Sequence, residues 1–391
     1  MFVKKIFAKN FRNLECEELE FGRGINVLYG QNASGKTNAL EAIYLFASGK
    51  SLRGSVEKDF IMRGHESATI GLEYASDRSE DFTRCMSLRF LKGNKKVMRF
   101  GSTEVPKMSE LLGRFRACVF TPDDLLLVKG GPEERRRFVD ISISQISPRF
   151  VHCLNDYARL LAQKNAILKD GARGGRVDKD YLAVINEGLA EASSVIVRQR
   201  AGFCEKLYGH AQRIYGEISD DKELLGMRYV SQTRRDFSDT EYTKNAYLAL
   251  YDKYYESDLK NGVSGVGPHR DDIYFYVGKS MELTEELSAD DLFDSSHTAR
   301  AFGSRGQQRS VVLSLKLAQG ELFKELCGEY PVFLLDDVFS ELDFARRDYI
   351  LKGSSDRQVI ITCCDCDILG SFRGYNRIFV ENGKYTAKGS S

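Results

Sequence analysis

Gly30-Gln31-Asn32-Ala33-Ser34-Gly35-Lys36-Thr37 fits the phosphate-loop pattern G-x-x-x-x-G-K-[ST]. A short apolar run, Ile25-Asn26-Val27-Leu28-Tyr29, leads straight into it. After it, Leu40, Ile43, Tyr44 and Leu45 recur at helical spacing. Strand, glycine-rich loop and helix form the context such a loop needs. Glycines let successive backbone N–H groups turn toward phosphate oxygens, and the helix aims its positive end at the same anion. Gly30, Asn32, Ala33, Ser34 and Gly35 are the expected cradle. Lys36 supplies a point charge for the β and γ phosphates of ATP, and Thr37 a hydroxyl for Mg²⁺. A chance match on a surface loop would leave the flanking strand and helix unexplained.

Val332-Phe333-Leu334-Leu335-Asp336-Asp337 is an apolar run ending in two carboxylates. Two acids after a buried strand are costly unless they meet a cation. Asp336 is the expected Mg²⁺ carboxylate and Asp337 the expected catalytic group, polarising the attacking water. Almost 300 residues separate this run from the loop. The fold must bring the two together, which limits the architecture more than any other feature.

The remaining composition is permissive. With 391 residues, 42% hydrophobic and 29% charged, the chain has room for two or three domains of an ordinary globular protein. No apolar run approaches the roughly 20 residues a bilayer span needs, and the start shows no signal-peptide core. A cytoplasmic location without membrane association is the default. A net charge of +1 confines any nucleic-acid site to a local patch. Nine cysteines without a secretion signal suggest reduced thiols. The one cluster, Cys363-Cys364-Asp365-Cys366, lacks a second ligand pair at zinc-like spacing and reads better as thiols than as a metal site.

Residues 68–100 read as strands around a Gly93-Asn94 turn, an antiparallel layer added to the nucleotide fold. From 123 to about 260 the pattern is helical, opened by Pro132-Glu133-Glu134 and broken by a loop at 170–180. Val151, Leu154, Tyr157, Leu161, Ile167 and Leu168 fit one buried stripe; Leu189, Val195, Val197, Phe203 and Leu207 fit another. Strand character returns at Ile273–Val277, a helix follows Gly306, and Gln358–Thr362 is a further buried strand. The tail from about Ala387 reads as disordered. The expected organisation is an α/β head in two parts, 1–122 and 261–391, with a helical arm, 123–260, inserted between them.

Phe302-Gly303-Ser304-Arg305-Gly306-Gln307-Gln308-Arg309 is a third anion-seeking segment, just before a helix and about 30 residues before the carboxylate strand. Taken alone it is equally a helix cap. In that order the motifs resemble the ABC-type ATPase heads of the SMC group, whose Leu-Asp turn is matched by Ser340-Glu341-Leu342-Asp343. More narrowly, the chain resembles the RecF family of recombination mediators. That resemblance rests on Asn10-Phe11-Arg12-Asn13, the phosphate loop, Phe120–Leu125, Gly130–Asp140, Gly267–Asp272 and Ser304–Arg309. It covers nearly the whole chain, and an arm of about 140 residues is too short for an SMC coiled coil.

The resemblance implies an ABC/SMC-like head that dimerises on ATP. Ser304, with Gly306 and Gln307, would meet the γ-phosphate of the other subunit in trans, and Arg12 would lie near the phosphates. It implies a weak ATPase of DNA replication, recombinational repair and the SOS response. Such a protein binds duplex DNA near gaps and single-strand/double-strand junctions and aids RecA loading with RecO and RecR. Two departures stand out. Asp337 replaces the usual Glu, and Thr362-Cys363 stands where many such heads carry a switch His, leaving Thr362 as a candidate. The DNA surface is open between phosphate contact and solvated faces for Arg135, Arg136 and Arg137, of which at least one is expected to pair with Glu133 or Asp140. Lys50, Arg53, Lys58, Lys92, Lys95 and Lys96 are further candidates. No base-reading element is evident, so binding is expected to be salt-sensitive. His269 reads as structural. The competing classes are a nuclease-associated ATPase, an SMC-like ATPase with another DNA role, and a small-molecule kinase.

Overall fold

The computed structural model describes residues 1–233, 237–279, 298–354, 356–365 and 374–388. In chain order its strands are β1 (Phe2–Phe11), β2 (Leu14–Glu20), β3 (Ile25–Tyr29), β4 (Ser67–Ser76), β5 (Ser79–Leu91), β6 (Val97–Phe100) and β7 (Thr103–Val105). They continue with β8 (Ala117–Phe120), β9 (Leu224–Val230), β10 (Asp272–Gly278), β11 (Val332–Asp336), β12 (Val359–Cys363), β13 (Asn376–Glu381) and β14 (Lys384–Lys388). Two compact units result: residues 1–124 with 316–391, and residues 125–315.

The first unit holds two sheets. One is antiparallel, in the order β2-β1-β4-β5-β6-β7. Its strands alternate buried and open positions, as one-sided sheets do: Ala68, Ile70, Leu72 and Tyr74 of β4 are all buried. This is the added β layer the turn at Gly93-Asn94 announces, although β6 starts at Val97 and leaves Lys95 and Lys96 in the turn.

The other sheet runs β14-β13-β3-β12-β11-β8. From β13 to β8 its neighbours are parallel, and only β14 turns back. Runs such as Val-Ile-Ile-Thr-Cys and Val-Phe-Leu-Leu-Asp are buried at every position, which suits strands covered on both faces. β12 stands between the loop strand β3 and the carboxylate strand β11. Leu28 pairs with Thr362, and Thr362 pairs with Asp336. Parallel strands end at one edge of the sheet, so this order closes the gap between the two motifs.

The second unit is built on the helices Pro132–Ser144, Pro148–Ala172, Lys179–Ser219 and Thr240–Asn261. Pro132 and Pro148 each start a helix where a missing N–H does no harm. Asp178 and Asp239 cap the next two, accepting from Tyr181 N and Tyr242 N. The helical reading of 123–260 is corrected at β9, which pairs with β10 in a two-stranded antiparallel sheet. That pairing draws 261–315 into the second unit, so packing places the boundary inside the helix Arg305–Cys327. The stripes are corrected as well. Tyr157 and Leu168 are buried, but Val151, Leu154, Leu161 and Ile167 are only half-buried and Val195 is 37% exposed. β14 extends through Lys388, so order reaches past Ala387; residues 389–391 lie outside the described residues, as does Cys366.

Candidate functional site

β3 ends at Tyr29 and the loop begins at Gly30, whose φ is +151°. A Cβ there would sit 2.1 Å from the Val380 carbonyl of β13, so only glycine fits against that strand. Ala33 and Gly35 also have positive φ, of +63° and +114°. Three loop carbonyls are engaged from outside. Ala33 O accepts from Asn13 Nδ2 at 3.5 Å, Ser34 O from Gly383 N at 2.7 Å, and Gly35 O from the Tyr385 hydroxyl at 3.3 Å. In a trans peptide the N–H opposes the C=O, so the amides of Gly35 and Lys36 turn the other way, into the loop. That is the arrangement an anion needs.

The Lys36 ammonium is 7% exposed and donates to Gly30 O at 2.5 Å and Gln31 O at 2.7 Å, spanning the loop. Ser34 Oγ is buried inside the same loop with no hydrogen-bond partner. An orphaned buried hydroxyl is rare, and here it fits a ligand oxygen. Asn32 Oδ1 accepts from Cys364 Sγ at 3.0 Å.

The carboxylates meet this loop. Thr37 Oγ1 donates to Asp336 Oδ1 at 2.8 Å, a contact across 299 residues. Thr362 Oγ1 donates to the same oxygen at 2.7 Å. Asp336 is 9% exposed; burial pushes its carboxyl above the ordinary range, opposed by the hydrogen bonds from Thr362 and Thr37. A hydroxyl and a carboxylate held together are the hard oxygen donors that Mg²⁺ takes. Asp337 turns the chain sharply, with φ +53°, and its amide donates to Thr362 O at 3.2 Å and Thr362 Oγ1 at 3.0 Å. Thr362 thus ties both acids to the end of β12.

Arg12 lies elsewhere in its own network. Its guanidinium grips Glu41 twice, at 2.9 and 3.1 Å, donates to Ser55 Oγ and Asp59 O, and stacks over Phe60. Glu41 is fully buried on the helix Lys36–Ser48 and also accepts from Ser51 Oγ at 2.6 Å. Removing one partner of a buried pair strands the other charge. Glu41→Ala is therefore expected to lower stability by about 3 kcal/mol. The Arg12→Ala/Glu41→Ala double variant is expected to recover part of that, and denaturant midpoints measure both. An unchanged midpoint for Glu41→Ala would remove the structural role of the pair.

Ser304, Gly306 and Gln307 belong to the second unit, at the start of the helix Arg305–Cys327. Ser304 is exposed there. Ser304 and Gln307 form a capping box: Gln307 N donates to Ser304 Oγ at 3.2 Å and Ser304 N to Gln307 Oε1 at 2.7 Å.

The basic candidates divide. Arg135 is buried and bidentate to Asp272 at 2.7 and 2.9 Å; Arg136 donates to Asp271 O at 2.6 Å. The expected partner Asp140 instead holds Arg200, at 2.8 and 2.9 Å. Lys92 and Lys96 pair with Glu66 and Glu57, and Arg53 donates to Asn38 Oδ1 at 3.5 Å. Arg137, Lys50, Lys58 and Lys95 are exposed. His269 Nδ1 shares a 2.5 Å hydrogen bond with the Tyr157 hydroxyl, and burial pulls its pKa down to about 4, as a structural imidazole requires.

The family model for the RecF/RecN/SMC N-terminal domain matches residues 2–386. The DNA replication and repair protein RecF of Acetivibrio thermocellus is 35% identical over 383 residues, covering 98% of this chain and 97% of that one. The chain belongs to the RecF family. The RecF protein of an Exiguobacterium species is 38% identical over 370 residues, covering 94% and 93% of the two chains. Among solved structures, the recombination mediator RecF with ATPrS, in the RecFOR pathway, superimposes with a TM-score of 0.88 at 30% identity, covering 99% and 98%. An Smc head bound to the C-winged helix domain of ScpA matches at a TM-score of 0.55 and 14% identity, over 99% and 97% of the chains. The RecF fold is thus a member of the SMC-head architecture, α/β with an added antiparallel layer, as the motif order suggests.

Sequence reasoning missed Glu41, Gly383 and Tyr385, and it quoted Asn13 for the resemblance without its contact to the loop. Glu41 had a signal: an acid on the helix face that also carries Leu40, Ile43 and Tyr44. The others act on backbone carbonyls, for which no residue pattern stands.

Proposed function

We propose that this chain is an ATP-driven DNA clamp of recombinational repair. The Thr37–Asp336 hydrogen bond, joining phosphate loop and carboxylate strand across 299 residues, carries the reading. The orphaned Ser34 hydroxyl supports it, as does likeness to a RecF structure that holds ATP. Lys36, Ser34 and the loop amides bind the β and γ phosphates. Thr37 and Asp336 hold Mg²⁺, which neutralises charge on the phosphate oxygens when bound. Asp337 takes the proton of the attacking water, and its short side chain suits slow hydrolysis.

Arg12 supports the loop helix through Glu41, and its approach to the phosphates belongs to the nucleotide-bound dimer. In that dimer Ser304, with Gly306 and Gln307, meets the γ-phosphate of a second copy, and hydrolysis releases the pair and the DNA. The unit formed by residues 1–124 and 316–391 serves as the head and residues 125–315 as the arm. Exposed Lys50, Lys58, Lys95 and Arg137 are the backbone-contact candidates for duplex DNA near gaps and junctions. RecO, RecR and RecA loading follow from the family, with a role in replication and the SOS response. Among the described residues no helix is long and apolar enough to cross a membrane, and the cytoplasm is the proposed site of action.

Size-exclusion with light scattering tests this: a monomer without ATP, a dimer with it. A monomer at saturating ATP sinks the clamp. Ser304→Arg sharpens the test. A bulky cation cannot enter a closed trans interface, so monomeric ATP affinity is expected to hold within about twofold while pairing weakens about 30-fold. Ser304→Ala removes the hydroxyl, both cap acceptor and proposed trans contact, without adding bulk or charge. Loss of ATP binding by monomeric Ser304→Arg would place Ser304 in cis.

A further inference from the structure

We propose that Glu223 is a positioning residue for the anion-seeking segment Ser304–Arg309, the signature segment of this head, acting through Gln307. The capping box leaves the Gln307 amide one unspent end. Nε2 donates to Glu223 Oε1 at 2.7 Å, while Oε1 is engaged by Ser304 N at 2.7 Å. Glu223 is itself fixed. Its Oε2 accepts from the hydroxyl of Tyr215, which is 1% exposed, at 3.0 Å, and its backbone carbonyl accepts from Ser219 Oγ at 3.2 Å. Tyr215 and Ser219 close the 41-residue helix Lys179–Ser219. A continuous chain of hydrogen bonds thus runs from the end of the longest helix to the exposed serine: Tyr215, Glu223, Gln307, Ser304. A glutamine held at both ends of its amide has one side-chain geometry, and the carboxylate makes its bond charge-assisted. The first turn of the signature helix is held again at Gln308, whose Nε2 donates to Ala299 O at 3.1 Å. Both glutamines therefore work as struts, and Glu223 anchors the one nearer to Ser304.

The inference rests on the trans contact proposed for Ser304, and charge gives it a distinctive sign. A carboxylate close to a helix N-terminus repels an incoming anion. If its charge were what mattered, Glu223→Ala and Glu223→Gln would both strengthen ATP-driven pairing. If its geometry matters, alanine weakens pairing and glutamine, which still accepts from Gln307 Nε2, restores it.

The test uses the full chain with ATP. Glu223→Ala is expected to bind ATP as a monomer within about twofold of wild type and to need about tenfold more protein to pair. Its kcat should fall while KM stays level. Glu223→Gln should pair like wild type. Tyr215→Phe, which keeps the ring and removes the donor to Glu223, should shift pairing the same way by about threefold. Glu223→Ala added to Gln307→Ala should cost nothing further, because the strut is already gone. Wild-type pairing by Glu223→Ala, equal shifts in Glu223→Ala and Glu223→Gln, or full additivity in the double variant would overturn the proposal while leaving the clamp standing. Failure of wild type itself to pair with ATP overturns both.

Discussion

Lys36→Ala is expected to lower ATP affinity by about 100-fold or more, and ATP-driven dimers disappear with it. The ammonium is buried and spans the loop between the Gly30 and Gln31 carbonyls. Alanine removes the cation proposed to meet the β and γ phosphates and the Lys36 bond to Gly30 O, while Gln31 O keeps the Ser34 amide at 3.3 Å. Loss of one buried, charge-assisted contact is worth about two decades. The backbone amides survive the substitution, so residual weak binding is consistent with the site. Calorimetric titration with ATP measures the effect, with a denaturation midpoint alongside to show that the chain is folded. Wild-type affinity in a folded variant would move the phosphate site elsewhere.

Asp337→Asn is expected to slow hydrolysis by about 10²- to 10³-fold and leave ATP affinity within about threefold. Asparagine tolerates positive φ as aspartate does, so the turn at +53° survives. The backbone hydrogen bonds from the Asp337 amide to Thr362 O and Oγ1 survive too. What is lost is the proposed base, and the variant should accumulate as an ATP-bound dimer. Single-turnover hydrolysis with light scattering reads both properties. Normal turnover would assign the proton transfer to another group.

The parts of this fold that the sequence discloses share one physical property. β3, β11 and β12 are covered on both faces, so burial writes them as unbroken apolar runs that any reader finds. β9 is different: Leu224-Leu225-Gly226-Met227-Arg228-Tyr229-Val230 lies among helices, and it is a strand only because β10 pairs with it. The helical pattern around it therefore concealed both the strand and the true extent of the second unit. The site divides along the same line. Lys36, Thr37 and Asp336 carry their chemistry in the side chain and at fixed spacing. Arg135 looked like a surface cation because its partner, Asp272, lies 137 residues away. Nothing in the local pattern said that Glu41 would take the Nε and one Nη of Arg12.

The sheet order has a consequence for how the protein comes into being. β3 and its loop are made among the first forty residues, yet both neighbours of β3 come from Val359–Cys363 and Asn376–Glu381. The donors that turn the loop carbonyls outward, Gly383 and Tyr385, follow later still. A polypeptide emerging from the ribosome carries its nucleotide motif 350 residues ahead of the tyrosine that helps to shape it. The pocket therefore takes shape only after the helical unit and the β13–β14 hairpin have been made, long after the loop itself.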